Sequence, residues 1–259
     1  MSGVVLQRDG PKATLWLNRP GVHNAFDDVL IGEMSAALAE LADDPAVRVV
    51  MLAGKGRSFS AGADLEWMRR MAACSEWENE ADARALSELM HRLDTMPKPT
   101  IALVHGVAMG GGVGLVAACD MAIAEEDAVF AISEVRLGLI PAVISPYVIA
   151  AIGGRAARRY FLTAERFGAS QAMALGLVSA VVPAGGLAAE GANLAAILCQ
   201  NGPEAIAEAK RLVAAVAARP IDVELRADTA RRIARQRASA EGREGVAAFL
   251  EKRRPRWQG

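Results

Sequence analysis

Four glycines within one short stretch carry the strongest chemical suggestion in this chain. In Thr100 to Asp120, TIALVHGVAMGGGVGLVAACD, residues Gly110, Gly111, Gly112 and Gly114 stand between a strand-like run and a helix-like run. Glycine inside either element costs about 0.5–1 kcal/mol relative to alanine, so the cluster implies that backbone rather than side chain meets a ligand. Free amide N–H groups at a helix start attract negative charge. A second loop, Phe59-Ser60-Ala61-Gly62-Ala63-Asp64, shares that setting, following one apolar strand-like run and opening a helix-like one. One donor from each loop, aimed at a single carbonyl oxygen, would form an oxyanion hole for an enolate. Losing such a donor commonly costs about 2.7–4 kcal/mol of barrier. Acyl thioester chemistry fits this arrangement.

Other chemistries fit less well. Gly112-Val113-Gly114-Leu115-Val116-Ala117 matches the G-x-G-x-x-A dinucleotide pattern, with Glu134 about twenty residues on. In that fold, however, the first glycine follows its strand at once, and the acidic residue closes the next strand. Here Val107-Ala108-Met109 intervene, and Glu134 comes after two further short strands. A phosphate loop would need Lys-Ser/Thr after its last glycine, and a serine nucleophile would sit in G-x-S-x-G; neither motif occurs. The histidines are His23, His91 and His105; the polar helical setting of His91 reads as surface, and the apolar strand before His105 as core.

The elements that must position these groups follow from periodicity. Val4–Leu6 and Ala13–Leu17 read as a hairpin about Asp9-Gly10-Pro11, and Leu30, Ile31, Met34, Leu38 and Leu41 mark a helix over Asp27–Asp43. Val47–Leu52 is a buried strand, a helix is expected over Leu65–Met71, and two more helical stretches lead to Pro97-Lys98-Pro99. Met121–Ala124, Val129–Ala131 and Val178–Val182 read as strands. Ser145-Pro146 reads as a helix start with a serine cap and proline at the first position. From Pro203 the chain is helical and increasingly basic. The pattern is an α/β core with a helical C-terminal appendage.

Composition narrows the class. With 259 residues, 53% hydrophobic content and a net charge of −1, the chain can bury a substantial core and carries no excess of basic charge for nucleic acid. Cys74, Cys119 and Cys199 are too few and too scattered for a disulfide framework or a metal site, which points to a reducing cytoplasm. Arg8 and Asp9 interrupt the N-terminal region before a secretory core could form. The nearly charge-free run 101–124 has the length of a membrane span, yet three adjacent glycines would weaken a spanning helix at its centre, so a buried strand, turn and helix is expected.

Taken together, Asn18-Arg19-Pro20 with Asn24-Ala25, the Phe59–Leu65 segment, Gly106 with Gly110-Gly111-Gly112, Cys119-Asp120, and Glu134 with Gly138 and Pro141 resemble the enoyl-CoA hydratase/isomerase (crotonase) family. Leu162-Thr163, Gly176-Leu177-Val178, Val182-Pro183, Phe249, Glu251-Lys252-Arg253 and Pro255 extend the resemblance over nearly the whole chain. The resemblance implies a spiral of ββα units over residues 1–198 and a helical oligomerisation region over 199–259 that builds a homotrimer or a dimer of trimers. It implies an acyl-CoA substrate, with no further cofactor, metal, nucleic acid or membrane partner. The amides of Ala63 and Gly111 would hold the thioester oxygen. Ala25, Ala61, Asp64, Leu65 and Gly110 would line the coenzyme A and acyl site, and Phe249 and Lys252 would complete a neighbour's site. A basic helix end such as Lys252 equally suits its own carbonyl dipoles.

The family's two-glutamate members carry one acid just after the glycine run and one ahead of a G-x-x-P segment. This chain has only the second, Glu134; Gly114 stands at the position of the first. Apolar neighbours Ala131, Ile132, Val135 and Leu137 favour partial burial of Glu134 and a raised pKa, suited to a general acid/base. Hydration and Δ3-Δ2 isomerisation both suit one glutamate, and a non-catalytic acyl-CoA- or RNA-binding shell is a further alternative. A finer resemblance, carried by Met109–Val116, Ser133–Tyr147 and Asp64–Arg70, is to the bacterial branch that hydrates branched, carboxylated thioesters such as 3-methylglutaconyl-CoA of leucine degradation. Ala142-Val143-Ile144 replaces small glycines after Pro141, which implies a different acyl pocket. Arg69, Arg70 or Arg136 could pair with a substrate carboxylate.

Overall fold

The computed structural model describes residues 2–258. Two strands, β1 (Val4–Asp9) and β2 (Lys12–Leu17), form the expected antiparallel hairpin. They are followed by α1 (Asp28–Asp43), β3 (Val49–Gly54), α2 (Leu65–Ala72), α3 (Glu76–Asp94) and β4 (Thr100–Val104). Next come β5 (Val107–Met109), α4 (Gly111–Ala118), β6 (Met121–Glu125), β7 (Val129–Ala131), α5 (Ser145–Thr163), β8 (Phe167–Gly168), α6 (Ala169–Leu175) and β9 (Ala180–Val182). Four helices close the chain: α7 (Leu187–Cys199), α8 (Pro203–Val216), α9 (Val223–Ala238) and α10 (Ala240–Leu250).

The strands divide between a six-stranded sheet, ordered β1-β2-β3-β4-β6-β9, and a three-stranded sheet, ordered β5-β7-β8. From β2 onward the large sheet is parallel, with Val50 opposite Thr100 and Ile101 opposite Met121. After β4 and again after β6 the chain crosses to the small sheet and then enters a helix. These are the ββα turns of the expected spiral. The inner strands β3, β4 and β6 are covered on both faces and are accordingly apolar on both sides. Period-two alternation sends Val50, Leu52, Ala102, Val104, Ala122 and Ala124 into the main core, while Val49, Ala53, Ile101, Leu103 and Ile123 pack with Ala195 of α7 on the other face.

Three local readings are corrected. The stretch before Pro97 forms one helix rather than two: Ser75 opens α3 with a capping box, its hydroxyl and Glu78 satisfying each other's backbone amides, and no breaker follows before Thr95. Ser145 is not the cap of α5. Ile144 takes that place, and Ser145 Oγ donates back to Ala142 O at 2.8 Å. Val107-Ala108-Met109, expected only to separate strand from glycines, is itself β5, paired with β7. The 101–124 run forms two strands (β4 and β5), a short helix and a further strand, and no helix of the described residues is long and apolar enough to cross a membrane.

The C-terminal helices are tied to the sheet through polar contacts. Asp120 Oδ2 accepts from Thr100 N (2.8 Å), from Thr100 Oγ1 (2.9 Å) and from Lys210 Nζ of α8 (2.9 Å). Glu241 of α10 accepts from the amides of Glu204 and Ala205, satisfying the exposed donors at the α8 start.

Candidate active site

The first loop is built by a clamp between residues 19–27 and 55–64. Asn24, fully buried, donates through Nδ2 to Lys55 O (2.9 Å) and Ser58 O (2.8 Å) and accepts from Arg19 N (2.8 Å). The Arg19 guanidinium donates to Ala25 O (2.7 Å) and pairs with Asp27 (2.9 Å) and Asp64 (3.0 Å). Asp64 also caps α2, accepting from Glu66 N and Trp67 N. Burial alone would raise the Asp64 pKa, but the Trp67 and Glu66 amides and Arg19 together hold it below the usual carboxylate range. Replacing Arg19 with methionine is therefore expected to destabilise the protein by roughly 1–3 kcal/mol, because two carboxylates lose a partly buried partner. Chemical denaturation checks this, with a matched rise in KM as the loop loosens.

Within this clamp, Phe26 N donates to Gly62 O and Asp64 N to Phe26 O, both at 2.7 Å. The amide of Ala63 lies between these two rungs and takes no part in them, so it faces the opposite side of the segment. Ala61 N is used, donating to His23 O at 2.9 Å.

The second loop runs alongside the first. Ser60 N donates to Val107 O (3.0 Å) and Met109 N to Ser60 O (2.9 Å), a parallel bridge that sets the two loops side by side. Gly62 makes the close approach possible: a Cβ there would stand 3.0 Å from Met109 O, and its φ of +91° is one that side-chain-bearing residues rarely adopt. Gly110 N donates to Ala131 O (2.9 Å), while Gly111 is the first residue of α4, where the amide has no intrahelical acceptor. The Ala63 and Gly111 amides, from adjacent loops, thus have no hydrogen-bond acceptor among the described residues. Ala63 is exposed and Gly111 half-buried, so both are reachable by a ligand.

Glu134 completes the group. It opens a 3-10 turn, Glu134–Leu137, just after β7, and its carboxylate lies against Gly110: a Cβ on Gly110 would be 3.2 Å from Oε1 and 3.6 Å from Cδ. Oε2 is buried without a hydrogen-bond partner among the described residues. Burial raises the Glu134 pKa, offset only in part by the backbone amides of Glu134 and Ser133. A carboxylate in this state is a stronger base than one in water.

The remaining expected residues are distributed as follows. Ala25 is buried beside the clamp, Ala61 is half-buried, and Leu65, 72% exposed, starts α2. Phe249 and Lys252 are not brought to this group; both stand exposed at the C-terminal end of α10, with Phe249 82% exposed. Arg69 pairs with Glu66 and Arg70 with Asp28, each at 2.5 Å, and Arg136 donates to Ala164 O at 2.7 Å. Burial pushes the Cys119 thiol up to about 12, which removes it as a nucleophile. His105 lies just past β4 and is half-exposed rather than core; its Nε2 is 3.0 Å from Gly56 O.

A family model for enoyl-CoA hydratase/isomerase matches residues 12–259. The chain belongs to the enoyl-CoA hydratase/isomerase family. Among curated relatives, the crotonyl-CoA hydratase of Syntrophomonas wolfei is 33% identical, the match covering 97% of this chain and 96% of that one. The 2,3-dehydroadipyl-CoA hydratase of Escherichia coli is 33% identical over the full length of both. Among solved structures, an enoyl-CoA hydratase from Shewanella pealeana is 45% identical with a TM-score of 0.96, covering 98% of this chain and 96% of that one. Pseudomonas aeruginosa AtuE is 36% identical with a TM-score of 0.94, covering 99% and 100%. The fold is accordingly the crotonase-like α/β spiral with a helical C-terminal region, and the chain is an enzyme of the enoyl-CoA hydratase kind.

Proposed function

We propose that the protein adds water across the α,β double bond of an acyl-CoA thioester, with the Ala63 and Gly111 amides as oxyanion hole and Glu134 as acid/base. The observation that carries this reading is the Glu134 carboxylate lying against Gly110, the residue next to the Gly111 donor. Glu134 takes a proton from water as its oxygen bonds to the β-carbon. The double-bond electrons move through the α-carbon to the thioester oxygen, where the two amides hold the enolate. The enolate then collapses and takes the proton back from Glu134 at the α-carbon. No cofactor enters beyond the coenzyme A of the substrate itself.

The substrate we favour is 3-methylglutaconyl-CoA or a related branched, carboxylated thioester, which assigns the enzyme to leucine degradation or a similar route. The segments Asp64–Arg70 and Ser133–Tyr147 support this, as does similarity to a relative named for dehydroadipyl-CoA. Arg69 and Arg70 hold only solvent-exposed ion pairs, which are worth about 0–1 kcal/mol and exchange readily for a substrate carboxylate. Isomerisation is the second reading, because a lone Glu134 can equally carry one proton between the α and γ carbons. Offering 3-methylglutaconyl-CoA, crotonyl-CoA and a 3-enoyl-CoA separates the two. Loss of enoyl absorbance supports hydration, preference for the 3-enoyl substrate supports isomerisation, and coenzyme A binding without turnover supports a non-catalytic shell.

Residues 199–259 are assigned to assembly and 1–198 to the core carrying the site. Val213, Ile221, Val223, Phe249 and Leu250 are exposed apolar residues on or beside the last three helices, which supports burial against further copies. A homotrimer or dimer of trimers in the cytoplasm, with Phe249 and Lys252 reaching a neighbour's site, accounts for them without a membrane or nucleic-acid partner. Sedimentation equilibrium is expected to give three or six chain masses; a stable monomer would contradict the assignment.

A further inference from the structure

Position 114 lies one turn into α4, where Gly114 N donates to Gly110 O at 3.2 Å. Gly110 is the residue against which Glu134 lies, and position 114 is one helical turn further along α4. The space is taken. A Cβ on Gly114 would fall 2.2 Å from Ile144 Cγ2, 2.9 Å from Ile144 Cβ and 3.2 Å from Met90 Cε. Non-bonded carbons settle near 3.5–4.0 Å, so even a methyl group requires Ile144 to leave. It is poorly placed to do so: Ile144 is 2% exposed and caps α5, its carbonyl accepting from Val148 N at 3.0 Å, while Met90 of α3 is fully buried.

We propose that Ile144 is the residue that holds this site to a single carboxylate, its side chain filling the volume that an acid at position 114 would need. The proposal rests on the reading of Glu134 as acid/base and extends it. With Ile144 in place, the proton taken from water and the proton given to the α-carbon both pass through Glu134. Gly114 and Ile144, thirty residues apart, then act as one coupled choice: glycine with isoleucine for a one-carboxylate site, or an acid with glycine for two.

A mutant cycle tests the steric half. Gly114→Ala in the native background is expected to lower the melting temperature by about 2–10 °C through overpacking. In an Ile144→Gly background the same change is expected to cost nothing or to raise the melting temperature, because the methyl then enters vacated space. The chemical half uses Gly114→Glu with Ile144→Gly. Two neighbouring carboxylates titrate as a coupled pair, so the pH profile of kcat/KM should gain a second acidic ionisation absent from the native enzyme and from Ile144→Gly alone.

Equal effects of Gly114→Ala in both backgrounds, or a folded double variant that keeps the native profile, overturn the proposal. If the double variant does not fold, the melting-temperature cycle decides alone. Failure of the Glu134 assignment would appear separately, as an active Glu134→Gln enzyme, and the melting cycle does not depend on it.

Discussion

Glu134→Gln lowers kcat/KM for the enoyl thioester by roughly 10²–10⁴-fold, the usual contribution of a positioned acid/base, while the folded protein becomes no less stable. The two effects share one cause. In the native enzyme the carboxylate is largely removed from water, and its Oε2 has no partner among the described residues. Its folded pKa is raised by burial. Folding therefore favours the protonated form, and ionisation at neutral pH works against the native state. Glutamine keeps the shape and removes the charge. The stability gain should be present above the raised pKa and shrink as pH falls through it toward the unfolded value, where both proteins carry a neutral side chain. Paired activity and denaturation measurements at neutral and acidic pH check both directions.

Gly110→Ala is the second large effect, expected to cost about 10²–10³-fold in kcat with much of the fold retained. Gly110 has φ 50° and ψ −119°, a combination open to glycine and strained for alanine by about 1–3 kcal/mol. The new methyl would also sit 3.2 Å from Glu134 Oε1, so the carboxylate must shift. The backbone that strains is the one presenting the Gly111 amide, the proposed oxyanion donor, and losing one such donor costs about this much on its own. Steady-state kinetics should show the loss mainly in kcat. A matching loss of coenzyme A affinity would instead point to general disruption of the loop.

Much of this architecture is legible in the sequence because it is local. The hairpin about Asp9-Gly10-Pro11, α1 with its Leu30-Met34-Leu38-Leu41 stripe, and the strands at 121–124 and 129–131 are written in short-range periodicity. The two glycine-bearing loops are legible as well, since glycine clusters between elements imply close backbone approach. What is not legible depends on contacts between distant segments. Strand β5 has three residues, too few to show alternation, and exists because Ser60 and Ala131 supply its neighbours. The clamp of Arg19 on Asp27 and Asp64 shows in the sequence only as an Asn-Arg-Pro motif, with nothing in the spacing to announce two carboxylates across 45 residues. Gly114 is marked as the place of an absent acid only by the family resemblance, and the filling of that place by Ile144 is not legible at all, because the pairing arises where α4 meets the start of α5.

In the proposed reaction one carboxylate, Glu134, beside the Ala63 and Gly111 amides, carries the hydration. Its most direct test is the pH dependence of kcat/KM from about pH 4 to 9 for native enzyme and Glu134→Gln on the same enoyl-CoA. The native profile should fall on the acid side with a single ionisation above the ordinary glutamate value of 4.5. The variant should show a low residual rate without that ionisation. A variant that keeps both the rate and the acid limb would rule out Glu134 as the acid/base.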